Sequence, residues 1–294
     1  MIRFSKYIWV YFLLSSFVIL PGVVSLVFGG LRPAIDFTGG TLIELKFNSP
    51  VDSTLIDQIA KKSSIEIASN QSTGNNTLLL RMKPIEDRAI ASFQGQLVAL
   101  SSPSAEILRV ESVGPVLGKE LLSKATIAAI LAIGAILGYV AYSFKNIKFG
   151  VSAIIALIHD LLVVLGIFSI LGVFAKVEVD TLFVTAFLTT MSFSVHDTIV
   201  VFDRIREFKK RGQRGSFEDL CDQALTETMG RSLTNSLTII FMLLALILMG
   251  GESIKWFVVA LLVGTISGTY SSPFVATPIL ILWNRWEEKN RMKR

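Results

Sequence analysis

Phe149-Gly-Val-Ser-Ala-Ile-Ile-Ala-Leu-Ile-His159-Asp160-Leu-Leu-Val-Val-Leu-Gly-Ile-Phe-Ser-Ile-Leu-Gly-Val-Phe-Ala175 runs between Lys148 and Lys176 with one ionisable pair, His159-Asp160. An α-helix rises ~1.5 Å per residue, so about 20 apolar residues cross a ~30 Å hydrocarbon core. This stretch is long enough to span a bilayer. Reading outward from one charged residue to the next gives five more stretches of that kind, at 7–31, 125–144, 181–202, 232–251 and 256–284. Only 181–202 among these five carries an ionisable acid, base or histidine, again as a pair, His196-Asp197. The fold class expected is a polytopic α-helical membrane protein with six transmembrane helices. Residues 7–31 follow Arg3 and Lys6, but the apolar run is longer than a signal core and no A-x-A-like site follows, so it reads as an uncleaved first span.

Composition agrees. The 294 residues are 52% hydrophobic and 17% charged, against about 25% charged in ordinary globular chains. That excludes a disordered chain and a nucleic-acid-binding domain, and the lone Cys221 excludes a disulfide scaffold. The net charge of +5 is largely a topology signal. Arg3 and Lys6, then Lys145 and Lys148, then Arg204 to Arg214, then Arg285 to Arg294 fall on one side of the six spans, whereas the two short loops opposite hold Lys176 and Lys255. Both termini are expected in the cytoplasm, with the lipid bilayer rather than nucleic acid as the environment. Four regions follow: residues 1–31, a cytoplasmic N-terminus and first span; 32–123, an extracytoplasmic domain; 124–284, spans two to six with a cytoplasmic segment at 203–230; and 285–294, a cytoplasmic tail.

The domain at 32–123 has a water-soluble composition. Residues 41–47 alternate like a half-buried strand, 52–62 read as a short helix capped by Asp52, and 65–69 as a second strand. The turn Gly74-Asn75-Asn76 leads to a third strand at 77–82, Pro84 opens a helix to about Leu100, and a fourth strand runs over 105–113. The order β-α-β-β-α-β is that of a small α+β ferredoxin-like domain. Two sequons, Asn70-Gln-Ser72 and Asn75-Asn-Thr77, matter only for a chain that passes a eukaryotic secretory route.

Ionisable residues inside a bilayer are expensive and mark function by default. Asp197 lies in the inner half of span four and is open to two readings, a proton carrier or a hydrogen-bonding tie between helices. Moving one charge through 100 mV is worth about 2.3 kcal/mol, so a carboxyl that binds and releases protons there can do work. Arg231, at the start of span five, reads as an interfacial anchor. His159 and Asp160 lie mid-span; two histidines without a cysteine cluster make a poor metal set, so no metal and no cofactor is expected. Pro273 and Pro278 break the ladder of span six, while Gly264, Gly268, Ser271 and Ser272 give it a small-residue face for close helix contact. Segment 203–230 reads as an amphipathic helix pair along the inner surface or as a solvated linker. Enzyme signatures fail: neither Asp160 nor Asp197 sits in Gly-x-Gly-Asp, and Gly114 to Lys119 is one residue short of a phosphate loop, with Glu120 where Ser or Thr belongs.

Four motifs carry a family resemblance. They are Ala34-Ile-Asp36-Phe37-Thr38-Gly39-Gly40-Thr41, Val113-Gly114-Pro115-Val-Leu-Gly-Lys-Glu-Leu121, Asp197-Thr-Ile-Val-Val-Phe-Asp-Arg-Ile-Arg-Glu207 and Gly268-Thr-Tyr-Ser-Ser272. In this order and on this topology they resemble the SecF branch of the SecD/SecF family of protein-export membrane proteins, within the RND superfamily, over essentially the whole chain. The resemblance implies half of an RND-type bundle that pairs with SecD. It also implies that the pair uses the proton-motive force to help draw preproteins through the SecYEG channel, with SecA an indirect partner. Asp197 then becomes the proton-relay residue and Arg231 its counter-ion, with Asp160 beside His159 in a secondary relay or packing role. The family usually has Asn before the motif Asp, preceded by Gly-Tyr-Ser; here Ser192-Phe-Ser-Val-His196 stands instead. His196 reads foremost as a neutral hydrogen-bonding substitute for that amide, and otherwise as a titrating neighbour of Asp197. A proton-driven exporter of small molecules or lipids on the same plan is the rival function, and a scaffold without proton coupling is the third.

Overall fold

Helix boundaries follow the residues that can satisfy free backbone groups. In the computed structural model, which describes residues 3–47, 56, 60, 65, 67–72, 76–85, 91–93, 95, 105–143, 146–213 and 215–292, a 3-10 turn (Phe4–Tyr7) leads into α1 (Ile8–Phe28). A single turn, α2 (Ile35–Thr38), precedes the strands, and α3 (Pro115–Ser143) follows them. Asn146 caps α4 (Ile147–Ala175) by accepting the Lys148 N–H at 3.2 Å, and Lys176, in the left-handed conformation, closes it. Asp180 caps α5 (Thr181–Lys210) through the Phe183 N–H at 2.7 Å. Ser216 and Asp219 form a reciprocal capping box at the start of α6 (Phe217–Met249). Then come α7 (Glu252–Ser271), a π turn (Ser272–Ala276) and α8 (Thr277–Arg291). Among the described residues, six helical segments are long and apolar enough to cross a membrane, the last of them running through α7, the π turn and α8.

The chain divides into two units, residues 1–32 with 128–294, and residues 33–127. In the helical unit, α4, α5 and α7 form the centre. α7 meets α5 through Gly264 and Gly268: a Cβ on Gly264 would sit 2.1 Å from Cγ2 of Thr190, and one on Gly268 would sit 3.1 Å from Cα of Ser194. Glycine at 264 lets the two backbones approach to a distance no larger residue permits. α1 crosses α4 in the same manner, with a Cβ on Gly22 only 2.8 Å from Cα of Gly166, and Ser25 and Ser169 share a hydrogen bond beside the crossing at 2.8 Å. α3 packs only by its last third, through Ile133, Ile136, Leu137 and Val140. Ile127, Ile130 and Leu131 of α3, and Phe241, Met242 and Leu248 of α6, are exposed.

The break expected in span six is the π turn. Pro273 removes one donor, the Thr277 N–H reaches back to the Ser272 carbonyl, and the Thr277 hydroxyl donates to that same oxygen at 3.0 Å. Two expectations change. Segment 203–230 is not a separate helix pair: α5 continues unbroken to Lys210 and α6 starts at Phe217, so the charged residues form the ends of two long helices. Arg204 ties these ends together, bonding Glu207 and Glu227 and lying 4.5 Å over the Phe208 ring. This bonding holds the Glu227 carboxyl below its ordinary value, and the Ser216 hydroxyl and N–H do the same for Asp219. The helix of span two also starts earlier than its apolar run, at Pro115, where the Glu120–Lys124 pair at 2.7 Å extends it.

In the unit of residues 33–127, β1 (Gly40–Phe47), β2 (Ile67–Ser72), β3 (Thr77–Met82) and β4 (Ala105–Val113) form one antiparallel sheet in the order β2-β3-β1-β4. The second strand lies two residues later than expected. Asn76, with φ 58°, makes the turn into β3. Ile43, Leu45 and Phe47 of β1 and Leu80 and Met82 of β3 alternate onto one face, where Ile56, Ala60, Ile65 and Phe93 cover them. The helices expected over 52–62 and 84–100 lie outside the described residues except for Ile56, Ala60, Pro84, Ile85, 91–93 and Gly95, and Pro84 and Ile85 are not helical.

Candidate functional site

The helical unit carries its polar chemistry on three faces of α7, set by the spacing of neighbours three and four apart. Ser267 and Ser271 face α4, Gly264, Gly268 and Ser272 face α5, and Thr269 faces α6. On the first face Asp160, 4% exposed, accepts the Ser267 hydroxyl on one oxygen and the Ser271 hydroxyl on the other, both at 2.6 Å. His159 Nδ1 lies 3.0 Å from the same oxygen that Ser267 bonds, and against an ionised Asp160 this nitrogen is the one that bears the hydrogen. Its Nε2 is buried without a partner. The His159 ring stacks on Tyr270 at 6.2 Å between centroids, and the Tyr270 hydroxyl donates to the Tyr11 carbonyl at 3.0 Å and meets Ser15 at 3.2 Å. Residues from α1, α4 and α7 thus meet around one dyad.

The second face joins α7 to α5 by a hydroxyl pair, Ser272 with Thr198 at 2.9 Å. One residue before Thr198, Asp197 turns toward α6. It is half-buried and accepts the Ser232 hydroxyl at 2.7 Å. A crevice beside it is lined by His196, Asn235, Ser236, Thr265, Gly268 and Thr269, and across it Thr269 donates to Ser236 at 2.7 Å. Asp197 therefore has a polar opening on one side and a helix tie on the other. A carboxyl so placed can exchange a proton without unpacking the bundle.

Among the described residues Arg231 makes no ion pair with Asp197. One residue along a helix turns the side chain by about 100°, and here Ser232 faces α5 while Arg231 is exposed. The counter-ion expected at Asp197 is in this structure a hydroxyl. His196 is exposed on the rim of the same crevice. Asp160 and Asp197 grip different helices and do not form one dyad.

The motif residues of the other unit meet one another. Gly39 has φ 74°, a conformation that favours glycine, and a Cβ on it would lie 2.7 Å from Cα of Pro115. A Cβ on Gly118 would lie 2.8 Å from the Gly39 nitrogen, and one on Gly40 would lie 2.9 Å from the Met82 carbonyl oxygen. Asp36 and Thr38 sit on the one-turn α2 with Phe37 buried, and Thr38 bonds the Ala34 carbonyl at 3.1 Å. Thr41 bonds Ser112 at 3.0 Å, beside Gly114 and Pro115. The two motifs, about 75 residues apart in sequence, pack backbone to backbone where β1 begins and β4 ends.

Sequence reading missed Ser232, Ser267 and Asp222. Asp222, 2% exposed, accepts both the N–H (2.9 Å) and the hydroxyl (2.7 Å) of Ser5. The apolar spacing of Phe217, Leu220, Cys221, Ala224 and Leu225 marks the inward face beside it, which was the available signal.

Comparisons with known proteins identify the family. Residues 94–286 match the family described as protein export membrane protein SecD/SecF, C-terminal, and residues 24–51 match the SecD/SecF GG motif. A protein translocase subunit SecF of Thermobaculum terrenum is 42% identical, over 96% of this chain and 94% of its own. The SecF subunit of Vibrio alginolyticus is 35% identical, over 95% and 89%. A crystal structure of SecDF, a translocon-associated membrane protein of a Thermus species, superposes with a TM-score of 0.86 at 29% identity, over 97% of this chain. The chain spans 39% of the length of that SecDF chain. With a family match over most of its length and relatives this similar, the chain belongs to the SecD/SecF family of protein-export membrane proteins.

Proposed function

We propose that this chain is an accessory subunit of the Sec translocase in the cell inner membrane, working with a SecD partner to promote preprotein translocation through SecYEG by use of the proton-motive force. Family membership supports the translocase role, and the SecDF likeness supports a SecD-type partner for a chain that matches 39% of the SecDF length. The lysine and arginine distribution supports cytoplasmic termini. It also supports an outer-side position for the unit of residues 33–127, where emerging preproteins would be met. The observation that carries proton coupling is Asp197: a half-buried carboxyl in an apolar helix, tied to α6 by Ser232 and open to a polar crevice.

In this reading Asp197 accepts a proton from one side of the membrane and releases it to the other. An anionic Asp197 draws the Ser232 hydroxyl in a charge-assisted bond, roughly twice as strong as its neutral counterpart. Protonation weakens that tie and loosens α6 from α5. Each charge moved through 100 mV supplies about 2.3 kcal/mol, enough to shift a two-state equilibrium roughly fifty-fold. His196 stands on the rim of the crevice, next to Asp197 in sequence. In cells whose sole copy carries Asp197→Asn, the proposal expects reporter preprotein secretion to fall while the variant reaches the membrane in normal amount. Normal secretion at normal abundance would remove Asp197 from the coupling step.

A further inference from the structure

We propose that His159 and Asp160 form a second proton-binding site, with Ser267 and Ser271 as residues that position its carboxylate and pass its charge state to α7. The proposal rests on the proton-coupled reading above but not on Asp197. Three donors converge on Asp160, two hydroxyls at 2.6 Å and His159 Nδ1 at 3.0 Å, as suits an ionised carboxylate. With the Nδ1 hydrogen committed, His159 Nε2 carries a free lone pair, and it is buried without a partner. That lone pair is the open basic position of the dyad, the one place where a proton can add without displacing an existing hydrogen bond.

The proton balance is simple. A proton adds to Nε2, the Nδ1 proton moves to the Asp160 oxygen that faces it, and a neutral imidazole and a neutral acid remain. One proton is taken up and no other bond is broken. The acid then donates to Nδ1, so the shared oxygen holds Ser267 less strongly, and both serine bonds lose their charge assistance. Both serines belong to α7, the helix that also bonds α6 through Thr269 and whose following π turn bonds α5 through Ser272. A charge change at Asp160 therefore alters the grip on the same element that borders the Asp197 crevice. Few other titratable groups reach this site from the elements packed on α4. Among the described residues these are Tyr270 of α7, stacked on His159, and Tyr11 of α1, whose carbonyl Tyr270 bonds; the Glu287–Lys148 pair lies at the start of α4, about three turns away. Asp197 of α5 faces α6.

Infrared difference spectroscopy of the full chain in lipid vesicles, titrated over about pH 5 to 8, tests this directly. The expected result is a carboxylic-acid band that is absent in Asp160→Asn and retained in Asp197→Asn. Ser267→Ala with Ser271→Ala should raise its midpoint by about one pH unit, because the carboxylate loses two donors. Replacement of both serines by threonine should restore the midpoint, which a purely structural role would not predict. If Asp160→Asn does not fold, the serine pair alone decides. A band indifferent to Asp160, or a midpoint unmoved by the alanine pair, would overturn the proposal. A retained band beside normal secretion in Asp197→Asn would uphold this site while removing the one proposed before it.

Discussion

The α4–α7 face and the α5–α6 face each place one carboxylate in an apolar helix, and they treat it in opposite ways. Asp160 is buried, with both oxygens bonded to serines of α7 and a histidine alongside, so that a change in its charge is felt directly by α7. Asp197 is half-buried, bonded by one serine of α6 and bordered by a crevice. A carboxylate with three donors is built into the packing. One with a single donor and an opening is free to change its charge at low structural cost. The difference teaches that an aspartate in a membrane span is read by counting its donors and finding its opening, since position along the helix is alike for both.

Removing each carboxylate is the strongest way to break this contrast. Asp160→Ala leaves two serines and a histidine donor in the core without an acceptor and should cost ~3 kcal/mol, whereas Asp197→Ala should cost ~1 kcal/mol. Thermal unfolding in detergent measures both, and equal losses would erase the distinction. Next in size is Gly264→Val. Its side chain meets Thr190, and the overpacking should cost about 2 kcal/mol by pushing α7 off α5. If the contrast depends on where α7 sits, Gly264→Val should also weaken the serine bonds at Asp160, seen as a shift in its infrared band.

Much of this architecture was legible in the sequence because it depends on local features. Six apolar runs, the break at Pro273, and the alternation of Ile43, Leu45 and Phe47 each follow from composition or period. The two His-Asp pairs were legible as exceptions to apolarity. Their partners were not, because a partner depends on the rotation of one helix against another. Arg231 and Ser232 are adjacent in sequence and about 100° apart around α6, and charge pointed to the arginine where geometry uses the serine. Ser267 and Ser271 sit four apart on a helix rich in small residues, a pattern that signals close packing equally well. Asp222 was hidden for another reason: it lies among charged residues, where one more acid attracts no notice until Ser5 is found upon it.

Finer changes sharpen the same comparison. Ser232→Ala removes the one hydroxyl donated to Asp197 and should cost about 1 kcal/mol, with a measurable change in secretion. Ser267→Ala alone should cost a similar amount of stability and leave secretion less affected. The reverse ranking of the two variants in secretion would exchange the roles assigned to the two faces. The smallest effect belongs to the charged helix ends. Glu227 is held below its ordinary value by Arg204, so its contribution to stability is present above the usual carboxylate range and is lost as the pH falls through its folded value. Glu227→Gln should therefore lower stability slightly at neutral pH, leave it nearly unchanged at low pH, and so flatten the acid limb of the unfolding curve.

The most direct test of the account is the rate at which sealed membrane vesicles complete translocation of a reporter preprotein, with and without a protonophore, for wild type and Asp197→Asn at matched abundance. The account predicts that the protonophore slows the wild type to the rate of the variant and leaves the variant unchanged. A variant that matches the wild-type rate and is slowed equally by the protonophore would contradict it.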